Sequence, residues 1–285
     1  MTGEKILLWM VVIPIWVVTA CGRGDSPINS KDNFADNYFR LVEARQARPL
    51  DFHRIKDIYR EGLSDYLRVV DRESAWFLCD RVETALQDGE RGIEPFANLQ
   101  TAEKLIQYAF YLDLLGAMNS LSPGGDNLDA FSRIEGAVPV LKATADRRGR
   151  WLGRGGELGE LLVGLLERIS TTASLGDQAS LREARLEMED FFSAVYLLSV
   201  LYELEGLESA RGRDPIATAE KLAETRIFYL FIRDRHRRLN LDGARSVQET
   251  IALSPELIDI ELVRTILRQD FARELFYLTP GTSNR

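Results

Sequence analysis

Apolar residues recur at helical spacing along nearly the whole chain from Asn33 onward. In the segment 51–71, Ile55, Ile58 and Tyr59 begin an i, i+3, i+4 series that marks one buried face, and charged residues fill the opposite face. The sequence contains no convincing alternation of polar and apolar residues between hairpin turns. We therefore expect an all-α fold, either a multi-helix bundle or a helical-repeat array.

The spacing predicts ten helices, near residues 31–47, 51–70, 73–88, 96–120, 126–146, 156–173, 180–209, 215–238, 243–253 and 255–277. Asp214-Pro215 and Ser254-Pro255 predict helix starts, because an oxygen-bearing side chain caps a helix whose first position favours proline. Ser180 and Glu183 fit a capping box. We expect Pro139 to kink or split the fifth helix, since proline lacks an N–H group.

Two predicted helices are apolar on almost every side, over residues 105–118 and 191–204. Apolar stretches of this length, bounded by charged residues, are more often buried core helices than membrane spans. A helix that is apolar all round must be surrounded by other helices. The sequence therefore predicts a central helix pair wrapped by amphipathic neighbours.

A five-residue motif, Thr-Ala-Glu-Lys-Leu, occurs at 101–105 and again at 218–222. Each copy follows an acid-proline pair and precedes a Phe-Tyr-Leu step, so the order of features is repeated. An internal duplication would give halves of about 50–150 and 157–278, joined by the arginine- and glycine-rich stretch 147–156. The alternative is independent use of residues that favour helices.

The first residues have the layout of an export signal. A short start with one lysine precedes an apolar run over 6–18, and Val18, Thr19, Ala20 and Cys21 follow the pattern aliphatic, small, small, cysteine. This segment resembles the signal peptide and lipobox of bacterial lipoproteins. The resemblance covers about 21 residues and implies cleavage before Cys21 and acylation of Cys21 at its thiol and its new amine.

This resemblance implies a cell-envelope protein held to the membrane by its N-terminal lipid. Gly22 after the lipobox cysteine favours the periplasmic face of the outer membrane if the bacterium is diderm. The predicted organisation is a signal peptide over 1–20, a flexible tether over 21–33 and an all-α domain over 34–285. The alternative is an uncleaved N-terminal anchor, with Cys21 an ordinary cysteine beside the membrane.

Charge and cysteine content narrow the function. The 285 residues include 36 Lys and Arg against 44 Asp and Glu, a formal net charge of −8, which disfavours a general nucleic-acid binder. The chain has 2 cysteines and so cannot build a disulfide-rich scaffold. Cys79 lies in the apolar segment 75–79, and we expect a buried, non-catalytic thiol.

Few residue groups suggest chemistry. His53 and Asp57 are four residues apart on one helix and are the candidate metal ligands, although interleaved cations also fit a solvated, ion-paired face. The sequence has no His-x-x-Glu or Glu-x-x-His pair and no recognisable catalytic constellation. We expect no cofactor and no enzymatic activity.

Two basic clusters are candidate contacts for an anionic partner such as lipid headgroups or an acidic protein. The first cluster lies at a predicted helix C-terminus, where cations also complement the helix dipole. It comprises Arg233, Arg235, His236, Arg237 and Arg238. The second lies on the predicted connector, which we expect to be exposed. It comprises Arg147, Arg148, Arg150 and Arg154.

The sequence therefore favours a non-enzymatic, membrane-anchored helical scaffold or protein-binding module with an envelope protein as partner. The alternative is a periplasmic lipoprotein that binds a ligand or a metal in a pocket between helices. Nothing in the sequence names the partner or the ligand.

Overall fold

A computed structural model describes residues 34–278, and every regular element in this range is helical. The elements are α1 Phe34–Gln46, α2 Phe52–Ile58, a π-helical segment Tyr59–Leu63, α3 Ser64–Ser74, α4 Leu78–Glu90, α5 Pro95–Ser120, α6 Leu128–Trp151, α7 Glu157–Leu175, α8 Gln178–Ala210, α9 Pro215–Leu239, α10 Leu241–Ala252, α11 Ile260–Asp270 and α12 Ala272–Leu278. The all-α prediction is confirmed. The predicted signal peptide, Cys21 and the tether lie outside the described residues.

The predicted helix 51–70 is interrupted by the π-helical segment. Gly62 has φ +145°, a conformation that other residues rarely adopt, so the helical ladder breaks there. The carbonyl oxygen of Glu61 accepts a hydrogen bond from Asn37 Nδ2 of α1 at 3.2 Å. A side chain from a neighbouring helix thus satisfies a backbone group at the break.

The helix starts are partly as predicted. Asp214 caps α9 and accepts a hydrogen bond from the backbone nitrogen of Ala217 at 2.9 Å. The prediction for Ser180 is wrong, because Asp177 caps α8 and accepts from the backbone nitrogen of Ser180 at 3.0 Å. The prediction for Ser254 is also wrong, since the segment after it forms turns and α11 begins after Asp259. In both places an upstream or downstream aspartate caps the helix instead.

Pro139 lies inside α6, which continues as a single element from Leu128 to Trp151. The predicted fifth helix therefore extends beyond residue 146 and is not split. The predicted last helix, in contrast, is divided at Phe271 into α11 and α12.

The centre of the fold is an aromatic cluster formed by α5, α8 and α9. Tyr111 of α5 lies 5.4 Å from Phe192 of α8, measured between ring centroids, and Tyr196 of α8 stacks on Phe231 of α9 at 3.8 Å. The two all-round apolar segments are central, as expected. The structure adds α9, which packs against both α5 and α8. Aromatic pairs in such offset and edge-on arrangements stabilise a core beyond the area they bury.

Helices α4–α5 and α8–α9 form two hairpins with similar connections. Each connection spans four residues, 91–94 and 211–214, and has the pattern Arg-Gly-x-acid before the proline that starts the next helix. Gly92 and Gly212 have φ +82° and +73°, as tight turns require. Lys104 contacts Glu224 and Tyr111 contacts Phe231, so α5 and α9 run in the same direction. The duplication itself stays a prediction.

Cys79 is buried at the start of α4. Asp71 of α3 accepts hydrogen bonds from the backbone nitrogens of Leu78 and Cys79 at 2.6 and 2.8 Å, so the preceding helix caps α4. The connection passes through left-handed conformations at Ala75 and Phe77, with φ +54° and +53°. Burial raises the pKa of the Cys79 thiol, in keeping with the expected packing role.

Candidate functional site

The predicted metal ligands His53 and Asp57 lie on the exposed side of α2. The His53 side chain is 87% exposed, and its Nε2 atom lies 3.6 Å from Asp57 Oδ2. Within residues 34–278, no group of three or more His, Cys, Asp or Glu side chains is arranged to hold a metal ion. The structure therefore gives this pair no third protein ligand in that range.

The basic cluster near the end of α9 is divided between the interior and the surface. Arg235 contacts Asp190 at 2.8 Å and Glu274 at 2.9 Å, and His236 is fully buried. The Arg233 guanidinium lies over the Trp76 ring at 4.8 Å. The exposed members of the cluster are Arg237 and Arg238. An external anionic partner would meet mainly these two arginines.

The second basic cluster does not lie on an exposed connector, contrary to the prediction. Helix α6 continues to Trp151, so three of the four arginines belong to its last turns. Arg148 is only 4% exposed, because its side chain lies between α6 and α8. The prediction of an exposed connector is wrong for Arg148, whereas Arg150 does reach solvent.

Arg148 lines a cavity of about 550 Å³ formed by α1, α5, α6, α8 and α9, which we call the charged pocket. Six cations line it: Arg45, Lys104, Arg147, Arg148, Arg150 and Lys221. Three carboxylates line it: Glu103, Glu203 and Glu224. The lining therefore has more cations than anions, in a chain whose net charge is −8. Part of each Thr-Ala-Glu-Lys-Leu motif contributes to the wall.

Each carboxylate of the charged pocket is paired with at least one cation from another helix. Glu103 of α5 contacts Arg45 Nε of α1 at 2.5 Å and also contacts Lys104. Glu224 of α9 contacts Lys104 at 3.5 Å and Lys221 at 3.0 Å. These ion pairs connect α1, α5 and α9. Since buried charges are costly without partners, the pairing is a condition for the fold.

A glutamine completes this network. With its amide oriented to satisfy both neighbours, Gln100 donates to Glu224 Oε1 at 3.1 Å and accepts from Arg45 Nη1 at 2.8 Å. One neutral side chain thereby connects the α1 cation to the α9 carboxylate.

Arg148 is the member of the network with the fewest partners. Its Nη2 atom lies 3.4 Å from Glu203 Oε1, a long contact, and its guanidinium lies 4.1 Å from the centre of the Tyr202 ring. Its Nε and Nη1 atoms are buried and have no hydrogen-bond partner in the structure. A guanidinium presents five N–H donors, and leaving buried donors unused costs free energy. Burial also lowers the pKa of Arg148, because it takes the charged guanidinium out of water.

Glu203 and Glu224 differ in their proton affinity. Burial and the nearby Glu224 carboxylate raise the pKa of Glu203 to about 7. Burial acts in the same sense on Glu224, but Lys104 and Lys221 outweigh it and lower the pKa of Glu224 to about 2. Two neighbouring carboxylates with separated pKa values are typical of functional sites, although ion-pair networks also produce them.

A second cavity of about 400 Å³ lies between α1, α3, α5 and α6. Its aromatic wall includes Tyr66, whose hydroxyl donates to Asp113 at 3.1 Å. Arg133 contacts Asp113 at 2.6 Å and Glu73 at 2.5 Å. Arg133 of this second cavity is thus engaged by two carboxylates, whereas Arg148 in the charged pocket has unused hydrogen-bond donors. The charged pocket is therefore the better candidate site.

Sequence reasoning found parts of the charged pocket but did not bring them together. The repeated motif and the arginines of 147–154 were separate observations, and Glu203 and Gln100 were missed. One available signal was the position of Glu203 within the apolar segment 191–204, where a carboxylate must be paired if it is buried.

No described helix combines the length and the apolarity that a membrane span requires. No known protein family matches the chain, and neither a curated protein nor a solved structure shows significant similarity to it. The functional assignment therefore rests on the residues of the chain itself.

Proposed function

We propose that the chain is an exported, lipid-anchored envelope protein without enzymatic activity, whose helical domain binds a small anionic ligand in the charged pocket. The observation that carries the proposal is the buried Arg148, with two donors unused beside a cavity lined mainly by cations. Guanidinium groups bind carboxylates and other oxyanions through paired hydrogen bonds. Because both donors are buried, a small rotation of the Arg148 side chain toward the cavity would let such a ligand use them.

Calorimetry on the full chain in detergent tests the ligand. Acetate, succinate and sulfate are titrated into the parent protein and into Arg148→Met and Lys221→Met. We expect at least one anion to bind and either substitution to weaken its binding at least tenfold, because each removes a cation from the pocket wall. Arg54→Met removes an exposed cation of α2 and is the matched control. Equal affinities in all four proteins would reject the proposed pocket.

The lipid anchor is proposed from the lipobox resemblance and is tested separately. Labelled palmitate is followed into the parent protein, Cys21→Ser and Cys79→Ser in a bacterial host. We expect labelling to be lost only in Cys21→Ser, since Cys21 is the predicted acceptor. Stable anchoring requires more than one acyl chain, which the predicted modification supplies. Labelling that persists in Cys21→Ser would exclude this anchor.

A protein-binding scaffold is the second candidate function. It is favoured by the exposed junction of α9 and α10, where Arg237 and Arg238 adjoin the half-exposed apolar side chains of Leu239 and Leu241. Basic and apolar side chains together are typical of surfaces that bind acidic proteins. Cross-linking in membranes would capture a defined partner, and the double change to glutamate at 237 and 238 would abolish its capture.

A further inference from the structure

We propose that Glu203 is an internal competitor of the ligand, and that binding of a small oxyanion in the charged pocket is coupled to the uptake of one proton by Glu203. This inference rests on the proposed function and adds regulation by pH to the same site. In the empty protein the Glu203 carboxylate provides the negative charge between Arg148 and Lys221. An entering oxyanion replaces that charge, and Glu203 takes a proton from the solvent.

The geometry places Glu203 between two cations from different helices. Its Oε2 atom lies 2.7 Å from Lys221 Nζ of α9, and its Oε1 atom lies 3.4 Å from Arg148 Nη2 of α6. Glu203 itself is 1% exposed. The contact with Lys221 is close and the contact with Arg148 is long, so this carboxylate satisfies one cation well and the other poorly. A free oxyanion, which is not attached to α8 as the Glu203 carboxylate is, could approach Arg148 more closely.

A second carboxylate beside Lys221 favours the coupling to a proton. Lys221 also contacts Glu224 at 3.0 Å, so one ammonium group already serves two carboxylates. The charged groups that face Glu203 are Arg148 on α6 and both Lys221 and Glu224 on α9. Lys104 of α5 contacts Glu224, at 3.5 Å, rather than Glu203. A further anion beside Arg148 and Lys221 would be a third negative charge within a few ångströms of these two cations, while Lys104 is already engaged by Glu103 and Glu224.

Protonation of Glu203 restores the balance of charge. Like charges within a few ångströms in a site of low dielectric cannot all stay ionised. Glu224 is held ionised by Lys104 and Lys221, so Glu203 is the carboxylate that accepts the proton. Burial and Glu224 already raise the pKa of Glu203 to about 7, so this proton is exchanged near neutral pH. No bond other than the O–H bond of Glu203 is formed.

The direction of the pH dependence follows from linkage. If binding takes up one proton, the affinity rises as the pH falls and stops rising once Glu203 is protonated in the empty protein. Above about pH 7 the dissociation constant increases about tenfold per pH unit. Acetate and sulfate are suitable probes, because their own charge is constant from slightly acidic to slightly alkaline pH.

The experiment is calorimetric titration of the full chain in detergent with acetate or sulfate at several pH values. Titrations in buffers with different enthalpies of ionisation count the protons taken up by the parent protein, and this count requires no variant. Glu203→Gln carries a neutral side chain of the same shape. We expect it to bind with an affinity that is independent of pH and at least equal to that of the parent at acidic pH. Glu208→Gln, on an exposed part of the same helix, is expected to behave like the parent.

The outcomes separate the two proposals. Binding above pH 7 with uptake of about one proton in the parent and none in Glu203→Gln supports the coupling. Binding without proton uptake by the parent above pH 7 refutes the coupling and leaves the proposed function intact. Absence of binding by both probes at every pH overturns the coupling, and the succinate titrations then decide the proposed function. If Glu203→Gln does not fold, as circular dichroism would show, the proton count of the parent alone decides.

Discussion

Replacement of His236 by glutamine is expected to make the protein less sensitive to mild acid. His236 is fully buried on α9, where its Nε2 atom lies 2.8 Å from Asp270 Oδ2 and its Nδ1 atom lies 3.0 Å from the Tyr229 hydroxyl. Burial lowers the pKa of His236, and this outweighs the opposing effect of Asp270. The folded protein therefore binds its proton less readily than the unfolded chain does.

The sign and the size of the effect follow from this difference. An unfolded histidine has a pKa of about 6.5, so below that pH the unfolded chain binds more protons and the free energy of unfolding falls. Each pH unit between the unfolded and the folded pKa costs about 1.4 kcal/mol. At pH 5 the loss caused by His236 is thus at most about 2 kcal/mol, and above pH 7 it is absent.

Urea unfolding of the full chain in detergent at several pH values measures this loss. The free energy of unfolding of the parent should fall more steeply between pH 7 and pH 5 than that of His236→Gln. The chain has 2 histidines, and His53 is exposed, so His53→Gln is a matched control that should keep the steeper dependence of the parent. An equal acid dependence in the parent and in His236→Gln would refute the reasoning.

Three substitutions and one chemical treatment provide further tests. Gly149→Ala is expected to destabilise the fold by about 1–3 kcal/mol in thermal unfolding, because its new Cβ atom would lie 2.6 Å from a backbone oxygen. Gly136→Ala in the same helix is the control. Its Cβ atom meets open space, and it should stabilise the fold by about 0.5–1 kcal/mol. Arg235→Gln leaves Glu274, 2% exposed, without its cation and should cost about 3 kcal/mol in urea unfolding. Alkylation of Cys79 by iodoacetamide should be slow in the folded protein and rapid in denaturant, because burial raises the pKa of this thiol and restricts access to it.

The helical fold was predictable because its signal is local. Apolar periodicity identified the helices, and the all-round apolar segments identified α5 and α8 as central. Helix ends were harder to predict, because several residues nearby can serve as caps. Asp177 and Asp259 cap α8 and α11 in place of Ser180 and Ser254. The break at Gly62 is accompanied by a hydrogen bond from α1, which the local pattern does not show.

The candidate site was less predictable because its parts are far apart in the sequence. Arg45 and Lys221 are separated by most of the domain, and no local rule indicates that they share a pocket. Charged residues on amphipathic helices are usually solvated, so no local pattern predicts the burial of Arg148. The burial arises from the packing of α6 against α8, which is a property of the tertiary structure.

The wall of the charged pocket is contributed by five helices between α1 and α9, so the pocket exists only when this part of the chain has assembled. A ligand that binds only the folded chain at 100 times its dissociation constant stabilises it by about 2.7 kcal/mol. Unlike a ligand held by one loop, it would suppress large opening motions of the whole helical array. Occupancy by the proposed ligand would therefore lengthen the lifetime of the protein against proteolysis, and the amount of folded protein would follow the supply of that ligand.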